Sequence, residues 1–387
     1  MKAIVLIFLF VTIETSCKNN TVHPTRPQAS EPVVQAKFRS LSENEKEAYR
    51  QKATALYKGF LSNNFNGTIL IAKNGEVLLE KYNGMADFST KEQINSNTAF
   101  HIASVSKTFT AMTVLKLMEQ GRLSLEDNVN KYYPSFPYAN ITIKSLLTHR
   151  TGLSNYAYVM NTSNKHLIYS NNDVINFFLT AKPRLQYIPN TRFQYCNTNY
   201  VFLAGIIEKI TNQSFPDYMR DSVFTPLGMY NTYVCHSAVA DDCPPSYTAG
   251  NKKFEFTNFD AIYGDKNVFS TARDLLTWDK VLYSGTFVKP ETAELAYQPY
   301  SNEKPGIHNY GLGWRLIIKD SSKIVYHTGW WHGNCNIFTR IPSDTATVII
   351  LSNRYNTQVF KSRNLASVFS KSIGDIPEED LTQTGGK

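Results

Sequence analysis

Residues 99–121 read AFHIASVSKTFTAMTVLKLMEQG, with Ser104 and Lys107 three residues apart at the head of a strongly apolar run. Phe109, Met112, Leu115 and Met118 recur every three residues, and Ala111, Val114 and Leu117 widen the stripe. That spacing predicts a helix from Lys107 to Gln120, ended by Gly121 and buried nearly all round. Its start is then buried too. Residues i and i+3 share a helix face, so the Lys107 ammonium is expected beside the Ser104 hydroxyl and partly out of water. Desolvation disfavours a charged amine, which lets Lys107 act as a base or relay toward the serine. The helix N-terminus also favours negative charge developing at Ser104. Taken alone, so short a pattern points rather to a capping serine and a lysine reaching for solvent. Its weight comes from the rest of the chain.

Upstream, SENEKEAYRQKATALYKGFL from Ser42 opens with Ser42 and Glu45 in capping-box spacing and continues with helical periodicity. GTILIAK and EVLLEKY then flank Asn74-Gly75, the strongest short hairpin signal. Downstream, GWRLIIKD, KIVYHTG, NCNIFTRIP and TATVIILSN are strand-like runs split by turn residues, and VFKSRNLASVFSKSI reads as a closing helix. Between these β-rich ends lie some 200 residues of mostly helical pattern, among them Phe202 to Thr211. Strands segregated from helices predict an α+β fold and argue against a doubly wound parallel sheet. The expected architecture is one domain over 41–375, an antiparallel sheet flanked by helices. Residues 41–103 and 305–375 supply the sheet, and a mostly helical lobe, 104–304, is inserted between them.

The length of 387 residues allows two domains or one with such an insertion. A chain 42% hydrophobic and 19% charged is neither disordered nor a coiled coil. The net charge of +8 comes from 40 basic and 32 acidic residues with no run of five or six Lys/Arg, so no nucleic-acid partner is expected. Lys2, the apolar run from Ala3 to Ile13, and Thr15-Ser16-Cys17 describe an export signal over residues 1–17. Residues 18–40, with Pro24, Pro27 and Pro32, read as a flexible tether, and 376–387 as a polar tail. Cys17 stands where a lipidated cysteine would, although Glu14 replaces the usual Leu, so lipidation and plain cleavage both remain open. The expected location is exported, periplasmic or at the cell surface, with membrane contact only through that anchor. In an exported chain Cys235 and Cys243 can close a small loop disulfide. No zinc spacing and no HExxH occur, so no metal or other cofactor is expected.

Two further motifs follow the Ser104-x-x-Lys107 pair in order. Tyr195-Cys196-Asn197 opens a helical run, and His327-Thr328-Gly329 ends a strand. Class A β-lactamases and penicillin-binding proteins combine S-x-x-K with S-D-N and K-T-G. The chain resembles their sister group, the class C β-lactamases and related serine DD-peptidases and esterases, in which Y-x-N and K-T-G or H-T-G take those places. The resemblance runs from about Lys58 to Arg354 and includes SLLTHRTGLSNY from Ser145, NVFSTARDLLTWDK from Asn267 and YGLGW from Tyr310.

The resemblance implies Ser104 as acylated nucleophile, Lys107 as base or proton relay and Tyr195 as second acid/base. The two proton carriers titrate as a set, so neither is singled out as the base. It further implies that Asn197 binds the substrate amide and holds Lys107, and that Thr328 and Gly329 form the strand edge under the substrate, Gly329 leaving room for the acyl group. The oxyanion hole maps to the backbone N–H groups of Ser104 and Trp330. His327, where a lysine is common, is expected to be a partly charged partner for a substrate carboxylate, with affinity for anions falling between about pH 6 and 8. His149 reads as a buried loop organiser, and Cys196 as a small packed hydrophobe. Cys335 has no assigned partner. Trp330, Trp331 and Tyr310 fit cleft walls or core equally, and Arg150 and His332 fit the rim.

The expected activity is hydrolysis through an acyl-enzyme of a small-molecule or peptide substrate. D-alanyl peptides or D-amino-acid amides rank first, then a small ester or weak β-lactam turnover. A penicillin-binding sensor with little turnover is the alternative from another class, and the complete set of proton-transfer groups speaks against it. Substrate choice is expected in the loops 155–192 and 237–264.

Overall fold

The computed structural model describes residues 38–369 apart from 62–64, 165, 240–241 and 320–321. The expected export signal, Cys17, most of the tether and the polar tail lie outside the described residues. A seven-stranded sheet organises the rest. Its strands are β1 (Gly67–Lys73), β2 (Glu76–Asn83), β3 (His308–Tyr310), β4 (Arg315–Lys319), β5 (Ser322–Trp331), β6 (Asn334–Ile341) and β7 (Ala346–Ser352). They lie in the order β2-β1-β7-β6-β5-β4-β3, every neighbouring pair antiparallel. The β1–β7 pairing, Thr68 opposite Leu351 through Lys73 opposite Ala346, joins the two ends of the chain at the middle of the sheet. Asn74 and Gly75, at φ 50° and 71°, make the β1–β2 turn that their sequence predicts.

All seven residues of β1 and all seven of β7 are buried, because both faces of the sheet are covered. Ile69, Ile71, Ile337, Val348 and Ile350 meet α1 (Glu43–Phe60) and the C-terminal turns around Phe360 and Leu365. Leu70, Ala72, Phe338, Ile349 and Leu351 meet the inserted helices. The principal helices there are α2 (Ser106–Glu119), α3 (Asn171–Thr180), α4 (Thr198–Thr211) and α5 (Ala272–Ser284). Ser42 caps α1 in the predicted reciprocal box with Glu45. α2 is buried over nearly its whole surface, with Phe109 stacked on Trp278 of α5 at 4.6 Å.

Two details differ from the sequence expectation. A small three-stranded sheet joins Phe100–His101, just ahead of the inserted lobe, to Val268–Ser270 and Tyr233–Val234 within it. The closing helix is instead a short α turn, Gln358–Lys361, that tightens into a 3-10 stretch, Ser362–Val368. Among the described residues no helix is long and apolar enough to cross a membrane.

Candidate active site

Ser104 sits on a tight turn, Ala103–Val105, that leads directly into α2. Ala103 takes φ 49°, an uncommon left-handed conformation for a residue with a side chain. His101 pins this turn. Its Nδ1 accepts the Ala103 N–H at 3.2 Å, so its proton is on Nε2 and is donated to Asn267 Oδ1 at 2.7 Å. Burial holds that ring neutral, with its pKa pushed down to about 4. One turn on, Lys107 is completely buried and its Nζ donates to Ser104 Oγ at 3.0 Å and to the Asp265 carbonyl at 2.7 Å. Desolvation brings the amine down from its ordinary 10.5 to about 7; the Asp265 carboxylate opposes that fall and the Arg315 cation adds to it. A near-neutral amine hydrogen-bonded to a serine is chemically able to take the hydroxyl proton.

Tyr195 lies on the far side of Lys107, whose Nζ is 4.9 Å from the phenol ring centroid. The Arg315 guanidinium stands 5.2 Å from the same centroid. The phenol therefore has a permanent cation on one contact and the titratable Lys107 amine on another. Asn197 is the residue before α4 and is buried, and its Oδ1 has no hydrogen-bond partner among the described residues. The expected grip of Asn197 on Lys107 is absent. The Asp265 carbonyl holds the amine instead, because the loop before Val268–Ser270 reaches Lys107 first. Asn197 Oδ1 and the equally bare, buried Thr328 Oγ1 are unmet polar capacity of the kind a bound substrate satisfies.

The edge of β5 completes the arrangement. β4 pairs with β5 only from Ser322 to Tyr326, so residues 327–331 have no strand on that side. The two-residue turn His332-Gly333 makes Trp331 and Asn334 the hydrogen-bonded pair closing the β5–β6 hairpin. Alternation along the ladder then turns the main-chain groups of Thr328 and Trp330 away from β6, toward the open edge. Trp330 N–H is thereby placed as a donor on the Ser104 side. Gly329 serves a different purpose from the one expected. A Cβ there would come within 2.1 Å of the Ile102 carbonyl and 3.2 Å of Ala103 Cβ. The missing side chain lets β5 press against the turn that carries Ser104, and the room it leaves is filled by that backbone, not by an acyl group.

His327 is the main correction. It is fully buried, its Nδ1 donates to the Thr328 carbonyl at 2.7 Å and its Nε2 meets Tyr310 Oη at 3.2 Å. Because Nδ1 carries the proton, Nε2 accepts from the tyrosine. Tyr310 Oη in turn faces His149 Nε2 at 3.2 Å, while His149 Nδ1 accepts N–H groups from Cys196 and Asn199. Every proton in this chain is accounted for with both imidazoles neutral. Burial, then the nearby Arg315 and Lys107 cations, hold His327 well below the ordinary histidine pKa. It does not supply a carboxylate-binding charge near neutral pH. A buried, permanent cation of this region is Arg315, a residue sequence reasoning passed over. The available signal was the paired glycines of YGLGW just before it: a Cβ on Gly313 would meet Ala111 Cβ of α2 at 2.3 Å, marking a strand pressed against the helix of Lys107.

His149 organises its surroundings as expected, stacking on Tyr195 at 4.3 Å. Cys196 and Cys335 are both buried and reduced, Cys196 against the Leu153 carbonyl and Cys335 in the opposite core layer, while Cys235 and Cys243 are bonded to each other. Trp330 turns its side chain to that opposite layer, near Tyr355, and only its backbone serves the site. Trp331 and His332 both bind Asp260 and line a cavity of about 350 Å³ with Phe254 and Phe269. A larger cavity, about 630 Å³, is lined by Asn155, Tyr158, Tyr195, Tyr310 and Arg315. Arg150 is tied to Glu303 and to the Tyr300 and Asn190 carbonyls, away from the serine.

A serine held by a buried lysine, a tyrosine beside that lysine and an arginine, and an open strand edge form a recognisable set. The family model described as Beta-lactamase matches residues 56–369. The chain belongs to the Beta-lactamase family. It is a serine hydrolase of that family, with the serine β-lactamase/transpeptidase-like fold. It is 32% identical over 335 residues to penicillin-binding protein 4* of Bacillus subtilis (strain 168), covering 81% of this chain and 74% of that one. It is 26% identical to protein flp of Staphylococcus aureus (strain N315), over 78% of this chain and 64% of that protein, slightly under two thirds of its length. Among solved structures, the D-amino acid amidase of Ochrobactrum anthropi SV3 superimposes with TM-score 0.68 at 20% identity, over 84% of this chain and 98% of that one. At that identity the likeness shows the fold.

Proposed function

We propose that this Beta-lactamase family member is an exported acyl-transfer hydrolase that acts through Ser104 on D-alanyl peptides of cell-wall type or on D-amino-acid amides. The observation that carries this reading is the Arg315 guanidinium beside Tyr195: both line the larger cavity, and the same phenol ring lies 4.9 Å from the Lys107 amine that holds Ser104. A permanent cation there suits a peptide ending in a carboxylate, and the names of the penicillin-binding relative and the amidase neighbour agree with it. In the reaction Ser104 Oγ bonds to the substrate carbonyl carbon and its proton passes to the Lys107–Tyr195 set. The N–H groups of Ser104 and Trp330 stabilise the oxyanion, a contribution of about 3 kcal/mol per donor. The C–N bond then breaks and the amine takes the proton; water, deprotonated by the same set, adds to the acyl carbon, the bond from Ser104 Oγ to that carbon breaks, Oγ regains the proton and the acid leaves. Export rests on the sequence of residues 1–17. A small ester is the second reading, favoured by the neutral His327, which leaves the end of β5 uncharged.

The test has two parts. A fluorescent penicillin and a fluorophosphonate are expected to label the wild type and not Ser104→Ala; labelling that survives in the variant removes Ser104 as nucleophile, and labelling without turnover turns the reading to a sensor. Arg315→Met is then expected to lower kcat/KM for diacetyl-L-lysyl-D-alanyl-D-alanine by about tenfold or more relative to a neutral chromogenic ester, the scale of one charge-assisted hydrogen bond. Equal losses on both substrates remove the carboxylate-ended peptide and leave the ester.

A further inference from the structure

Directly behind Lys107 lies a second buried lysine that the proposed reaction does not use. Lys266 is 3% exposed, and its Nζ donates to Tyr156 Oη at 2.6 Å and lies 3.6 Å from Asp265 Oδ2. Tyr156 Oη donates to the same Asp265 Oδ2 at 2.8 Å. Asp265 therefore shows two faces. Its carbonyl holds the Lys107 amine, and its carboxylate pairs with Lys266 and Tyr156. We infer that Asp265, Lys266 and Tyr156 form a buried charged cluster that positions Lys107 through the Asp265 carbonyl and governs the charge state of its amine. The inference rests on the reading of Lys107 as a proton carrier of the reaction.

A comparison within the molecule supports a role beyond holding the fold. A second fully buried ion pair among the described residues, Arg340 with Asp279, is saturated, because one carboxylate oxygen binds Arg340 and the other binds Thr347. Asp265 Oδ1, equally buried, has no hydrogen-bond partner among the described residues. A buried pair gives little net stability even when it is fully satisfied, so an incompletely satisfied one beside a functional amine points to electrostatics. The charged and titratable groups around Lys107 are few. Asp265 and Lys266 face it from the loop before Val268–Ser270, Arg315 from β4 and His327 from β5. Tyr195 and Cys196 face it from ahead of α4, Tyr200 from α4, and His149 from the Ser145–Tyr156 stretch. Both histidines are neutral, so the balance lies between the carboxylate of Asp265 and the cations Lys266 and Arg315. Lys107 lowers the proton affinity of Lys266, and because repulsion between two charges is mutual, a charged Lys266 acts back on Lys107 in the same sense.

The signs follow. Lys266→Gln keeps a donor for Tyr156 but removes a positive charge, so Lys107 holds its proton more tightly. Asp265→Asn keeps the backbone carbonyl but removes the negative charge, so Lys107 releases its proton more easily. Acylation by a fluorescent penicillin, followed as a second-order rate constant from about pH 5 to pH 9, is expected to show the acidic limb moving up by about one pH unit in Lys266→Gln and down in Asp265→Asn. Lys266→Arg, which keeps the charge, is expected to retain the wild-type limb. Limbs that stay in place in the first two variants, or move in the same direction, overturn the inference, and rate losses without displacement mean packing alone. Titration of the Lys107 Nζ by NMR on lysine-labelled protein reads the same shifts without any reaction. If the wild type does not acylate, the hydrolase reading fails while this coupling is still decided.

Discussion

Lys107 is held where folding and chemistry make opposite demands. Its amine titrates near 10.5 when exposed and near 7 in the folded protein, so between those values the unfolded chain binds more protons. Stability therefore rises with pH across that window, and the penalty of the buried amine is fully present below about pH 7. A tenfold loss of proton affinity on folding costs about 1.4 kcal/mol, which makes the penalty a few kcal/mol. Lys107→Met is expected to abolish acylation and yet raise Tm, by more at pH 6 than at pH 9; a variant with lower Tm at pH 6 would show that the amine is stabilised in place. That Ser104 and Lys107 meet was legible in the sequence because residues three apart share a helix face, whereas Tyr195, which the structure also brings to Lys107, entered only through the family resemblance. The charge of His327 was not legible, since it depends on burial and on Arg315, which reaches it from another strand. Reading the motif letter as a partial cation ignored what the fold packs around it.

At the level of elements, the spacing between β5 and the Ser104 turn is set by the absence of one side chain at Gly329. Gly329→Ala puts a methyl against the Ile102 carbonyl, a backbone atom with no rotamer to move. The strand must retreat by about an ångström to relieve a 2.1 Å contact, taking the Trp330 N–H with it. Loss of one such donor lowers kcat by roughly a hundredfold or more, and the variant is expected to show that loss with KM for an ester little changed. An unaltered kcat would mean that the oxyanion donor lies elsewhere. The long strands, the Asn74-Gly75 hairpin and α2 could all be read directly, because each carries a full period of its pattern. The three-stranded side sheet could not. Its strands are two or three residues long, too short for any periodicity, and one of them, Phe100–His101, lies more than 100 residues before the other two. The closing helix failed for another reason: its apolar residues are spaced for a helix, but packing against α1 and β6 lets them meet the core through tighter turns.

Across the whole molecule, the sheet closes only when β7 returns to β1, and the inserted helices are fastened to it by Arg340 of β6 and Asp279 of α5. Removing one member leaves the other charged, buried and alone, which typically costs about 3–5 kcal/mol. Arg340→Met is expected to lower Tm strongly, and the pair Arg340→Met with Asp279→Leu to recover most of the loss; a double variant no better than the single would mean that Arg340 acts through Tyr297 and Trp314 instead. Loss of acylation and loss of tryptophan burial should then coincide in each thermal scan, since the serine and the strand edge belong to parts of the chain that neither half can assemble alone. That edge also bears on which molecules the protein tolerates. A ligand laid along residues 327–331 is read through main-chain groups, and every peptide, ester or lactam offers the same kind of reactive carbonyl whatever its substituents. Discrimination must then come from the walls around the groove, so changes in the surrounding loops can redirect the enzyme to new substrates while leaving its reactive centre untouched.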